Sequence, residues 1–226
     1  MKTAKKRKKA RKPTRQEVKW AGAVKYANDY FLTPPQLDRK WEKAVSGVPR
    51  SEMNEEFFGS LPRSLKILEV GCNVGNQPAA LRVMGFKKLY GIELCAHAVK
   101  IANKRRKWLH AIQGNACKMP YPRGCFDLVF TTWVLTHINP KALPRAISEI
   151  YRCSRRYILG CEPYRDSLIP EERKPKRAYL WRADFIGIFM KMFPDLTLVK
   201  AKLYRFPQPK KNYAKEQEMY LLEKRP

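Results

Sequence analysis

From Ser64 onward, short apolar runs alternate with amphipathic stretches. Lys66-Ile67-Leu68-Glu69-Val70-Gly71 reads as a strand entering a turn, and residues 76–84 follow as an amphipathic helix. Lys88–Glu93 is a second strand, 95–107 a helix, Leu109–Gln113 a third strand and Phe126–Thr131 a fourth. Pro140–Cys153 carries an apolar stripe at Leu143, Ile147, Ile150 and Tyr151, as a helix packed on one side does, and Arg156–Gly160 is a fifth strand. Strands that are apolar on both faces and separated by helices predict a parallel sheet covered on both sides. The end of the chain departs from this rhythm. Asp184–Met192 is a helix, and Leu196–Tyr204 and Gln217–Glu223 are two strands facing each other across a long loop. The expected fold is therefore α/β, a seven-stranded and mostly parallel sheet with an antiparallel last strand and helices on both faces.

Upstream, residues 20–63 mix aromatic and charged positions around Thr33-Pro34-Pro35, with short helices expected at 36–46 and 51–60 and Pro49 and Pro62 as their punctuation. This stretch is expected to be a helical lead-in that covers the mouth of the domain formed by 64–226. Residues 1–19 hold ten Lys or Arg and one acidic residue, Glu17, and are expected to be a basic flexible arm. The whole chain of 226 residues carries a formal +27, so +18 lies outside the arm. A field of that sign attracts polyanions, with RNA favoured. Six scattered cysteines without a CxxC pair suggest a reduced, intracellular and most simply cytoplasmic protein with no metal centre. The basic start has no apolar segment behind it, unlike a secretory signal, and no apolar run reaches the length of a membrane span.

The chemistry concentrates at the carboxyl ends of the predicted strands, where open α/β sheets bind ligands. Glu69-Val70-Gly71-Cys72-Asn73-Val74-Gly75-Asn76-Gln77 joins the first strand to its helix, and its glycines let the backbone approach a ligand. Taken alone, such a turn is weak evidence. Glu93 ends the second strand, placed to accept hydrogen bonds from ribose hydroxyls. Gly114-Asn115-Ala116 follows the third strand, where a short polar side chain can read an adenine edge. Asp127 begins the fourth strand, and Thr131-Thr132-Trp133 ends it.

Taken in order, ILEVGCNVGNQ, LYGIEL, IQGNA and FDLVFTTWVLTHI resemble the motifs of class I S-adenosylmethionine-dependent methyltransferases, which implies a Rossmann-like fold and that cofactor. Together with WAGAVKYANDY, SEIYRCSRRYILG, the Leu180-Trp181 region and FPDL near Phe193, the pattern is similar to methylases associated with pseudaminic acid biosynthesis, over most of residues 20–223. The resemblance implies that Glu69, Gly71, Cys72, Asn73 and Gly75 shape the loop under the methionine moiety. Asn76 and Gln77 would lie near its carboxylate, Glu93 at the ribose, Leu94, Asn115 and Ala116 at the adenine, and Thr131 and Trp133 at the reacting end. Two positions depart from the usual pattern: Asn73 replaces the middle glycine and Asn115 replaces an aspartate.

His137 is the histidine nearest the presumed centre and is the candidate general base, although methyl transfer from a sulfonium can proceed by positioning alone. His97 and His110 read as helix-surface residues. For the acceptor, Arg165, Arg173, Lys174, Lys176, Arg177 and Arg182 follow the fifth strand, and Arg205, Lys210 and Lys211 fill the last hairpin. Tyr164, Tyr179, Trp181 and Tyr204 are interleaved with them and could stack on bases. Three readings stay open: a nucleic-acid methyltransferase, a methylase of a sugar or nucleotide-sugar, and a catalytically silent RNA-binding subunit with this fold. Intact Gly71, Gly75 and Glu93 weigh against the third.

Overall fold

The computed structural model describes residues 50–166, 169–170, 181–205 and 216–225. The basic arm and the expected helix at 36–46 lie outside them. So do Arg173, Lys174, Lys176, Arg177, Lys210 and Lys211.

The elements run α1 (Arg50–Phe58), β1 (Lys66–Val70), α2 (Asn76–Val83), β2 (Lys88–Glu93), α3 (Ala96–Arg105), β3 (His110–Gln113) and β4 (Phe126–Thr132). A single 3-10 turn (Leu135–His137) precedes α4 (Leu143–Cys153) and β5 (Ser154–Pro163). Two short strands, β6 (Ile169–Pro170) and β7 (Trp181–Arg182), pair with each other. α5 (Phe185–Met192), β8 (Leu196–Arg205) and β9 (Glu216–Lys224) complete the order.

Seven strands form one sheet in the order β3-β2-β1-β4-β5-β9-β8. β1 to β5 pair in parallel, and β9 runs antiparallel between β5 and β8. β1 is the middle one of the five parallel strands, and its successive side chains point to opposite faces. Ile67 joins Phe57, Phe58, Leu81, Leu89 and Phe130 on one side, while Leu68 joins Ile147, Ile150, Phe185 and Phe189 on the other. Thus α1, α2 and α3 cover one face, and α4 and α5 the other. The Phe58 ring meets the edges of Phe86 and Phe130 at 6.2 and 5.6 Å between centroids, which seats α1 on the sheet. Glu56 ties the same helix to β8: its carboxylate accepts from Lys202 Nζ at 2.7 Å and Tyr204 Oη at 3.0 Å, and its pKa falls to about 2, chiefly through Lys202.

Most boundaries shift by one or two residues from the sequence expectation, and two shift by about three. The helix expected from Pro140 begins at Leu143, because residues after β4 first tighten into the 3-10 turn. β5 extends beyond Gly160 through Cys161, Glu162 and Pro163, paired with β9 as far as Pro163–Gln217. Among the described residues, no helix is long and apolar enough to cross a membrane.

Candidate functional site

The turn after β1 is built from three residues in the left-handed region: Gly71 (φ 74°), Asn73 (φ 47°) and Gly75 (φ 81°). A Cβ at Gly71 would run into the Val134 side chain, and one at Gly75 would lie 2.7 Å from Leu109. Both positions therefore need glycine for space as well as backbone angle. At Asn73 the replaced glycine makes physical sense, since asparagine tolerates this region better than other side chains. The Gly71 and Cys72 amides donate to Ile92 O at 2.7 and 3.2 Å, tying the turn to β2. From below, the Arg106 guanidinium donates to Val74 O at 2.9 Å and to Asn76 Oδ1 at 2.8 Å.

The turn wraps buried polar atoms that the protein does not satisfy. Glu69, on β1, is 3% exposed, and its Oε2 has no hydrogen-bond partner; neither has Asn73 Oδ1. Burial, reinforced by the neighbouring Glu93 charge, pushes the Glu69 carboxyl well above its ordinary pKa, while Arg50 and Arg106 pull it back. A buried carboxylate oxygen without a donor is costly in an empty fold and suits a cationic ligand group. Glu93, at the end of β2, accepts from the Asn73 amide at 3.0 Å and the Cys95 amide at 2.8 Å. Burial raises its pKa against those two bonds. Its carboxylate keeps lone-pair capacity for two hydroxyls.

The remaining predicted cofactor residues also gather at this end of the sheet. Cys72 is buried against Gly91, and burial raises its thiol pKa. Gln77 accepts from Asn54 Nδ2 at 3.3 Å, so α1 reaches over the glycine turn. Leu94 O accepts from Gln113 Nε2. Asn115 is exposed, and its Oδ1 accepts from the Cys117 amide, closing a local turn beside Ala116. Asp127 does not belong to this group. It stands at the start of β4, the opposite end, where it accepts from the Lys66 amide and pairs with Arg155.

Beyond β4 a buried acid organises the loop. Glu162, on β5 and 1% exposed, accepts from the amides of Val134, Leu135 and Thr136 at 3.0, 3.2 and 3.4 Å, and from the Thr131 side chain. Burial lifts its pKa to about 7 despite those donors. Trp133, at φ 55°, donates from Nε1 to Gln217 Oε1 at 2.8 Å. His137 closes the 3-10 turn that Glu162 holds and is half-buried. Sequence reasoning missed Glu162; its signal was a lone acid at the end of an apolar strand. It also missed Arg106 and Gln217, whose roles depend on contacts across 32 and 84 residues.

Other expectations are corrected. His97 is exposed on α3, but His110 opens β3, where its ring stacks on Tyr90 at 5.1 Å. Tyr204 is 3% exposed and bonded to Glu56, so it is core and not a stacking platform. Arg205 is paired with Glu216, and the Tyr164 hydroxyl donates to Asp166.

An open, twisted α/β sheet with a glycine turn after its central strand and an acid ending the next strand defines a nucleotide-type ligand site at the carboxyl ends of the strands. A family model described as methyltransferase domain matches residues 68–156. The chain is 31% identical over 101 residues to botryococcene C-methyltransferase of Botryococcus braunii, covering 42% of this chain and 26% of that protein. It is 26% identical over 98 residues to malonyl-[acyl-carrier protein] O-methyltransferase of Serratia marcescens, covering 43% and 37%. The match thus spans between about a quarter and two fifths of these curated relatives. The solved 1,6-didemethyltoxoflavin-N1-methyltransferase of Burkholderia thailandensis, bound to S-adenosylhomocysteine, superposes with a TM-score of 0.62 at 14% identity, covering 96% of this chain and 94% of that one. Residues 68–156 thus match a methyltransferase domain of the S-adenosylmethionine-dependent kind, on a fold shared with that solved structure.

Proposed function

We propose that this chain transfers a methyl group from S-adenosylmethionine to a nucleic-acid acceptor, with RNA as the favoured substrate. The observation that carries the acceptor class is the formal +27, two thirds of which lies outside the first 19 residues. Glu69, with its unpartnered buried oxygen, takes the ammonium of the methionine moiety, and the glycine turn from Gly71 to Gly75 lies under it. Asn76 and Gln77 border the carboxylate, Glu93 binds the ribose hydroxyls, and Leu94, Asn115 and Ala116 meet the adenine. The bound cofactor supplies a methyl already activated on a sulfonium, so the protein's task is alignment of the acceptor. Glu162 positions the Thr131–His137 loop for this, with Trp133 beside the reacting end. His137 accepts the proton that the acceptor loses. The arm at 1–19 and the basic residues Arg173, Lys174, Lys176, Arg177, Lys210 and Lys211 hold phosphates, and residues 20–63 close over the cofactor.

A second acceptor is a small molecule, such as a sugar or nucleotide-sugar. It is favoured by the resemblance to pseudaminic acid-associated methylases and by relatives whose names specify botryococcene and a toxoflavin precursor. Transfer of labelled methyl to RNA, DNA and nucleotide-sugars separates the two. Incorporation into RNA supports the first reading; incorporation confined to a nucleotide-sugar replaces it with the second.

A further inference from the structure

Between Val70 and Phe126 the sequence contains a single acidic residue, Glu93, and that carboxylate is turned inward onto the Asn73 and Cys95 amides. The same stretch supplies the exposed cations Arg82, Lys87, Lys88, Lys104, Arg105 and Lys107. The topology brings them together. α2 and α3 both run back from the ligand end of the sheet, so Arg82 in the last turn of one and Lys104 and Arg105 in the last turn of the other arrive at the opposite end. Lys87 and Lys88 enter β2 there, and Lys107 precedes β3, whose His110 pairs with Tyr90 of β2. Contacts seal the cluster: the Arg82 guanidinium sits 5.5 Å above the Trp108 ring and donates to Lys87 O at 3.5 Å.

No carboxylate among the described residues pairs with any of these six cations. The ion pairs among the described residues fall elsewhere: Arg152–Glu149, Arg155–Asp127, Arg156–Glu223, Lys200 and Lys202 with Glu56, and Arg205–Glu216. The acids are thus spent on the β4–β5–β9–β8 half, and the β2–α3–β3 corner is left uniformly positive. We infer that this corner is a docking surface for a nucleic-acid phosphate backbone, remote from the site of methyl transfer; the inference rests on the nucleic-acid reading above. Four of the six cations are lysines, which protein interfaces deplete and phosphate contacts use. The single strongly exposed apolar side chain beside them, Val83, is no substitute for the apolar face of a membrane-binding helix.

The placement sets a length requirement. The cations and the cofactor end are separated by the six residues of β2, roughly 20 Å at the rise of a strand. An RNA held at the corner reaches the transfer site only if it is several nucleotides long or folded to that size. Mononucleotides and very short oligonucleotides gain nothing from the corner.

The experiment uses the full chain carrying Lys87→Gln, Lys88→Gln, Lys104→Gln, Arg105→Gln and Lys107→Gln together. All five side chains are exposed, and an unchanged melting temperature with and without S-adenosylmethionine establishes that fold and cofactor site are intact; if the combined variant melts early, Lys87→Gln/Lys88→Gln and Lys104→Gln/Arg105→Gln are tested as separate pairs. Binding to a labelled single-stranded RNA a few tens of nucleotides long is followed across a salt series. Each lost phosphate contact removes about 0.7 from the log–log salt slope, so the five-fold variant is expected to flatten it by up to about 3.5 and to bind at least about ten-fold more weakly at low salt. An unchanged slope and affinity, or no salt-dependent binding by the unmodified chain, overturns the inference. Loss of binding to phosphatidylglycerol vesicles or to an acidic carrier protein with RNA binding intact also overturns it. The two proposals fail separately. RNA binding that depends on this corner, without methyl incorporation into RNA, removes the acceptor assignment and leaves the surface; incorporation into RNA that survives the substitutions does the reverse.

Discussion

Glu162→Gln isolates the energetic role of the buried carboxylate behind the β4 loop. In the unfolded chain this carboxyl titrates near 4.5, and in the fold burial moves it to about 7. Between those values the native state holds more protons than the unfolded one, so stability falls as pH rises through this window. The full shift corresponds to about 3 kcal/mol, present below pH 4.5 and lost above about pH 7. Glutamine keeps the shape and one acceptor oxygen for the Val134 and Leu135 amides but does not titrate. Glu69 and Glu93 are shifted in the same direction, so the absolute pH dependence of the chain is a composite. The difference between the unmodified chain and Glu162→Gln cancels their contribution. In thermal melts from pH 4 to 9, that difference is expected to move against the unmodified chain by about 3 kcal/mol, or about 6–12 °C for a domain of this size. Parallel melting curves for the two proteins across the range would refute the assignment of the titration to Glu162.

Glu93→Ala removes the proposed ribose acceptor and is expected to weaken S-adenosylmethionine binding by about 1.5–3 kcal/mol, read by calorimetry; unchanged affinity returns Glu93 to the role of bracing Asn73 and Cys95. His137→Ala is expected to lower turnover by roughly 10²–10⁴ with cofactor affinity intact, and near-normal turnover removes the base from the mechanism. Tyr220 is 1% exposed with an unpartnered hydroxyl, and its ring lies across Gly160. Tyr220→Phe deletes that oxygen without changing the packing and should raise the melting temperature by a few degrees, since a buried unsatisfied hydroxyl costs about 1–3 kcal/mol; a lower melting temperature shows that the hydroxyl has a partner in solution.

The alternation of apolar strands with amphipathic helices was legible because β1, β4 and most of β5 are buried on both faces and read as continuous apolar runs, while only the edge strand β3 exposes most of its residues. The glycine turn and Glu93 were legible because local backbone needs and strand-end position leave a mark within a few residues. Asn73 shows the limit of motif reading: it departs from the expected glycine yet supplies the same left-handed backbone. What local pattern does not encode is partnership across the fold. Arg106 clasps a turn 30 residues away, and Glu162 was hidden because a strand ending in Cys-Glu-Pro looks finished at Gly160. The aromatic residues near the acceptor loops misled for the same reason. Nothing near Tyr204 announces that Glu56, 148 residues upstream, draws it into the core.

The insertion of β9 between β5 and β8 has a consequence for synthesis on the ribosome. β8 is made before β9, yet β9 is its neighbour in the sheet, so until residues 216–224 emerge, β5 and β8 both present bare edges. During that interval Leu198 and Val199, still 45% and 51% exposed in the finished fold, lie on a strand with no hydrogen-bonded partner. Open edges of this kind recruit other chains. Four basic side chains on β5 and β8 that meet Glu56, Glu216 and Glu223 in the finished fold (Arg156, Lys200, Lys202 and Arg205) surround that interval with positive charge, which opposes pairing between nascent copies. The nine residues of β9 therefore act as a zipper that closes the sheet after β5 and β8 have been made.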